Sequence, residues 1–170
     1  MNATIIAYSN TGNTAACAHA LADALGVRLF FLEETRKRPE KDFVVGGMQA
    51  TFHLSSKLKA LPDTKTSEVL ILGMPVWAGT TPPAINALLQ MLDCKEKTVF
   101  AFVTKADPAM EAPQKLVDRL SGLVEKRGGT LKRVFAQPVE GKTLAQKAAK
   151  ERVASWAEEI LAALPQKTVK

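Results

Sequence analysis

Cysteine is scarce in this chain. Cys17 and Cys94 are its two cysteines in 170 residues, with no Cys-x-x-Cys pair and no Cys/His cluster. That excludes a disulfide framework and a structural zinc site, and leaves two reduced thiols, at least one of them partly buried. Histidine is equally rare. His19 and His53 stand apart from each other and from the cysteines, and both read as solvated helix positions. Aromatic residues make up only 6%, so no aromatic stripe is available to stack on nucleic-acid bases. No apolar run approaches the length of a membrane span. Met1 leads straight into an apolar strand with no signal-peptide pattern before it, so the chain is expected to stay in the cytoplasm.

What is present is globular. Apolar residues account for 46% and charged residues for 24%, enough to build one full core, and residues 1–170 read as one domain. Lys and Arg total 23 against 17 Asp and Glu, a net charge of +6 that favours anionic ligands through long-range attraction. Nucleic acid is the alternative anionic partner. The basic residues are scattered over helices and loops without a nucleic-acid motif, so the charge reads mainly as surface.

Hydrophobic patterning then divides the chain. Residues 3–8 (Ala-Thr-Ile-Ile-Ala-Tyr) are a short buried strand of the parallel-sheet kind. Residues 13–25 repeat at helical spacing, with Ala18, Leu21, Ala22 and Leu25 on one face and Gly26 as the stop. A second strand covers 27–32. Residues 33–42, with their mixed charges, read as a solvated loop. A helix is expected over 48–61, with Met48, Phe52, Leu54, Leu58 and Leu61 as a loose apolar face and Pro62 as its end. A third strand spans 67–74, followed by a rigid loop, 75–83, and a proline-led helix carrying Ile85, Leu88, Leu89 and Leu92. The fourth strand, 98–103, precedes a helix over 111–127. The fifth strand, 130–136, precedes a helix over 144–164, which carries Trp156 as a core residue, and 165–170 form a polar tail.

Strands alternating with helices in this way predict an α/β fold, a doubly wound three-layer α/β/α sandwich with a five-stranded parallel sheet of order 2-1-3-4-5. Ligands of such sheets sit beyond the carboxyl ends of the strands where the order reverses, here between strands 1 and 3. The two most unusual loops of the chain follow those strands. The first, Ser9-Asn10-Thr11-Gly12-Asn13-Thr14, joins small hydroxyl, amide and glycine residues to a helix start, a composition suited to a phosphate. The same residues also make good helix caps, and it is the position at the switch point that favours the phosphate.

These residues carry a resemblance. The 9–14 stretch matches the flavodoxin phosphate loop, and Gly73-Met74-Pro75-Val76-Trp77-Ala78-Gly79-Thr80 resembles the flavin-facing loop of flavodoxin-like proteins. Element order agrees over nearly the whole chain, pointing to a short-chain, flavodoxin-like protein. The resemblance implies FMN, with the phosphate on Ser9, Asn10, Thr11, Gly12, Asn13 and Thr14 and the ring against Pro75, Val76, Trp77, Ala78 and Gly79. Thr104, Lys105 and Ala106 occupy the third flavin loop by position. Residues 46–50 resemble a segment found in one branch of such proteins, with no role attached.

The chain departs from typical flavodoxins, which are strongly acidic and carry an aromatic residue after strand 4. This one is basic, and 104–110 contain no aromatic. An uncovered ring face leaves room for NAD(P)H or a quinone, and a weaker negative field raises the flavin potential. The expected function is therefore an FMN-dependent oxidoreductase of NAD(P)H-dependent quinone or flavin reduction, with no protein acid or base named. The alternatives are a one-electron carrier working with a redox partner protein, and a flavin-free binding or regulatory domain on the same fold.

Overall fold

Every side chain of β1 (Ala3–Ala7) is buried, and the strand lies inside the sheet rather than at an edge. The computed structural model describes residues 2–36, 38, 43–139 and 146–164. The elements that follow are α1 (Asn13–Leu25), β2 (Arg28–Phe31), α2 (Phe43–Thr51), β3 (Val69–Pro75), α3 (Pro83–Met91), β4 (Thr98–Lys105), α4 (Gln114–Lys126), β5 (Thr130–Pro138) and α5 (Gln146–Ala162). All pairings are parallel and the order is β2-β1-β3-β4-β5, as the sequence predicts.

Strand alternation sends neighbouring residues to opposite faces of the sheet. On one face Leu70, Leu72 and Met74 meet Ile85, Leu88 and Leu89 of α3 and Leu116, Leu120 and Val124 of α4. On the other, Val69, Ile71 and Phe102 meet Cys17, Ala18 and Leu21 of α1 and Val153, Trp156 and Ile160 of α5. Trp156 is a core residue, stacked on Phe102 and Phe135 at 5.7 and 5.4 Å between ring centroids. Phe102 also fixes Gly73. A Cβ on Gly73 would lie 2.3 Å from the phenyl ring, so the close approach of β3 to β4 requires glycine.

Both thiols are free and buried. Burial pushes Cys17 up to about 12, and burial with the Asp93 charge pushes Cys94 up to about 11, so neither is a thiolate at neutral pH.

The structure corrects the second helix. It covers Phe43–Thr51, earlier and shorter than the expected 48–61, and residues 52–66 are irregular. Met48, Phe52, Leu54 and Leu61 are exposed, and of the expected apolar face only Leu58 packs on the core. The reason is that 54–59 bind laterally: Lys59 N donates to Glu33 O, Thr35 N to Lys57 O, and Ser56 N to Pro83 O. Tertiary hydrogen bonds of this kind override a loose helical pattern. His53 consequently lies beyond the helix, in a turn with φ 54, whereas His19 is exposed on α1. The expected helix start at Leu144 and the 165–170 tail lie outside the described residues.

Candidate functional site

The carboxyl ends of β1 and β3 are held side by side by Tyr8 N–H donating to Gly73 O at 2.9 Å. From this point two loops leave the sheet. In the first, Gly12 takes the left-handed conformation (φ 91, ψ −17) as the N-cap of α1. Ser9 Oγ accepts from Gly12 N and Ala15 N, both at 3.2 Å. Asn13 Nδ2 donates to Thr11 Oγ1 at 3.3 Å. Among the described residues, the N–H groups of Asn10, Thr11 and Thr14 have no protein partner. The first turn of α1 contains no acidic residue. A left-handed glycine, unpaired N–H donors and the positive end of a helix together form a nest for an anion.

Thr14 departs from the other loop hydroxyls. It is buried, and its Oγ1 lies 2.7 Å from Thr104 Oγ1. Its side chain therefore braces the loop against β4 rather than opening to solvent. Thr104 also ties in the second loop, because its carbonyl accepts from Val76 N at 2.9 Å. Thr104 and Lys105 were expected in a loop but are the last residues of β4, both buried, and of that predicted trio only Ala106 is exposed. Lys105 Nζ lies 3.5 Å from Asp107 Oδ1. Residues 106–111 are exposed and contain no aromatic.

After Pro75, which ends β3, the second loop closes on itself. Trp77 N donates to Thr80 O at 3.1 Å and Thr80 N to Trp77 O at 2.9 Å. Ala78 and Gly79 both have positive φ, 48 and 72, the signature of a type I′ turn. Such a conformation is costly for alanine, and strain of this kind concentrates at binding sites. Neither the Ala78 nor the Gly79 N–H has a protein partner among the described residues. The turn therefore presents two adjacent donors.

The surroundings of Trp77 include residues that sequence reading missed. The indole is half-buried, edge-on to Tyr8 at 5.9 Å, with the Arg38 guanidinium over its ring at 5.4 Å. Gly46 of α2 lies so close that a Cβ there would come within 2.9 Å of the indole. Arg38 grips Glu34 through Nε (2.6 Å) and Nη2 (2.9 Å), and Tyr8 Oη donates to Glu34 Oε2 at 2.7 Å. Burial raises the Glu34 carboxyl, but the Arg38 and Tyr8 hydrogen bonds outweigh it and hold the group below its ordinary value. Burial and Glu34 push the Tyr8 phenol well above its ordinary range, so Tyr8 remains a donor. Glu34 and Arg38 side chains are only 7% and 12% exposed, which corrects the reading of 33–42 as a solvated loop at these two positions, whereas Glu33, Thr35 and Arg36 are exposed as expected. The i,i+4 spacing of Glu34 and Arg38 was the available signal. Its mixed-charge surroundings concealed it.

Among the described residues no group of three or more His, Cys, Asp or Glu side chains is arranged to hold a metal ion. No described helix is long and apolar enough to cross a membrane.

A family model described as Flavodoxin matches residues 3–160. No curated protein sequence matches the chain. Among solved structures, a Bacteroides eggerthii protein superposes with a TM-score of 0.71 at 19% identity, over 94% of this chain and 98% of that one. A Lactobacillus acidophilus flavoprotein in complex with FMN gives a TM-score of 0.64 at 18% identity, covering 79% of this chain and 92% of that one. Flavodoxin 1 of Bacillus cereus, in its oxidised form, gives 0.62 at 16% identity, covering 96% and 99%. At these identities the structural likeness speaks for the fold.

Proposed function

The chain belongs to the flavodoxin family, whose cofactor is FMN, and we propose that it works as an FMN-dependent oxidoreductase. Bound FMN supplies the redox chemistry, exchanging electrons between a donor such as NAD(P)H and an acceptor such as a quinone or a second flavin. The rest is the work of the chain. Ser9, Gly12 and the unpaired N–H groups of Asn10, Thr11 and Thr14 would hold the phosphate, and the Thr14–Thr104 bond fixes that loop relative to β4. The donors of Ala78 and Gly79 would orient the ring, on a turn that its two reciprocal hydrogen bonds keep rigid.

One observation favours an enzyme over an electron carrier. The segment after β4 is exposed over 106–111 and has no aromatic to cover a ring, so a second substrate can approach. A one-electron carrier paired with a protein partner is the second reading, favoured by family membership itself. We place the activity in the cytoplasm, in the domain formed by residues 1–170.

The FMN-loaded protein is expected to oxidise NAD(P)H rapidly when a quinone is present. On photoreduction it should pass directly to the fully reduced state. No NAD(P)H oxidation, together with a long-lived one-electron stage on photoreduction, would instead establish the carrier.

A further inference from the structure

Residues 53–56 cross the start of α3, and positive charge gathers at the seam. Ser56 N donates to Pro83 O at 3.2 Å, and Asn86 Nδ2 to Leu54 O at 2.9 Å. Arg119 reaches the same place from α4. Its Nε–H donates to Thr81 Oγ1 at 3.1 Å and its Nη2–H to Asn86 Oδ1 at 3.2 Å. Thr81 and Asn86 are 0% and 2% exposed, and the Thr81 hydroxyl donates to Asn86 Oδ1 at 2.6 Å. The guanidinium is therefore fixed by neutral partners alone. Among the described residues no carboxylate pairs with it, and its Nη1 makes no protein hydrogen bond. Partial burial lowers its pKa, and no described carboxylate offsets that cost.

His53 belongs to this cluster. Its backbone is left-handed, and its Nδ1 is buried without a hydrogen-bond partner. Burial pulls its pKa down, and the charges of Arg119 and Lys115 pull it further, against a weak opposing pull from the Ala50 carbonyl. Asp118, between Lys115 and Arg119 in the chain, is exposed and accepts from Gln114 Nε2 at 2.7 Å. Among the described residues no acid is set between this guanidinium, imidazole and ammonium.

We propose that Arg119, His53 and Lys115 form a second anion site, one that takes a phosphate group. A dianionic, tetrahedral oxyanion can meet the planar guanidinium fork, the imidazole N–H and the ammonium together. It also removes the mutual repulsion of the cations. The site is separate from residues 9–14: α1 packs on one face of the sheet and α4 on the other. It adjoins the Trp77 turn instead, because Thr81 directly follows Thr80, the residue that closes that turn. A phosphorylated substrate or nucleotide held there is anchored on the flank of the turn. The proposal is independent of FMN binding.

The test uses the two histidines as NMR reporters in the FMN-saturated protein, with His19 as the internal reference. Inorganic phosphate should raise the His53 pKa by about one unit, whereas chloride of equal ionic strength should not. Arg119→Met should abolish the phosphate response. If that variant does not fold, Lys115→Met, at an exposed position, should weaken the response severalfold. NADP+ is titrated in parallel: the same shift at lower concentration identifies a nucleotide phosphate as the source, and a response to inorganic phosphate alone identifies the free anion. If His53 responds no more to phosphate than to chloride, or responds equally in the variants, the site does not exist.

Discussion

Replacing Gly12 with valine is expected to weaken FMN binding by about 30–150-fold, the equivalent of about 2–3 kcal/mol, with the fold intact. The reasoning turns on the kind of constraint at Gly12. Its φ of 91 is unfavourable for any L side chain and worst for a β-branched one, yet a Cβ there would meet nothing within 4 Å. Packing is therefore untouched. The variant relieves its strain by rotating the loop, which turns the Asn10 and Thr11 N–H groups away from the nest. Flavin fluorescence titration measures the affinity, and a thermal melt checks that the fold survives. Undiminished FMN affinity would refute the assignment of the phosphate to residues 9–14.

Glu34→Gln is expected to destabilise the folded chain by about 1–2 kcal/mol at neutral pH. The substitution preserves shape but removes the carboxylate that grips the Arg38 guanidinium, 12% exposed, through two charge-assisted hydrogen bonds. Tyr8 can still find an acceptor in the amide, so the loss comes mainly from the ion pair. The effect should vary with pH. The folded-state pKa of Glu34 lies below its ordinary 4.5, so the carboxylate contributes fully above about pH 4.5. Its contribution is lost as the pH falls through the lower folded value. Wild type and variant should therefore differ most near neutrality and converge in acid, as read from urea unfolding midpoints. A gap that persisted undiminished in acid would show that the charge of Glu34 is not what holds Arg38 over Trp77.

The sheet and the first loop were legible in the sequence for a physical reason. A parallel sheet buried on both faces demands nearly continuous apolar strands, and 3–8, 69–74 and 99–103 supply them. A loop that must turn in the left-handed region beside a helix start demands a residue such as Gly12. The strand order follows from the element count and handed crossovers, and it placed both loops at the switch point.

Residues 33–36 and 52–66 resisted the same reading. Long-range bonds, Lys59 to Glu33 and Ser56 to Pro83, shape them and leave no local periodicity. Phe52 has helical spacing with Met48, and Leu54 with Leu58, but Phe52 and Leu54 stay in solvent. The Arg38–Glu34 pair looks like surface charge until the fold brings Tyr8 and Trp77 against it. Arg119 is likewise an ordinary helix residue in sequence, and its burial becomes visible only once α4 is placed beside Thr81 and Asn86.

Residues 9–14 are tested most directly by titrating the flavin-free protein with FMN and with riboflavin, following flavin fluorescence. The two ligands share the ring and differ in the phosphate, the group that the loop's N–H donors and the α1 terminus engage. FMN should bind at least about 100-fold more tightly than riboflavin, the worth of a few charge-assisted hydrogen bonds. Equal affinity for the two, or no binding of either, would contradict the phosphate site and the flavin chemistry built on it.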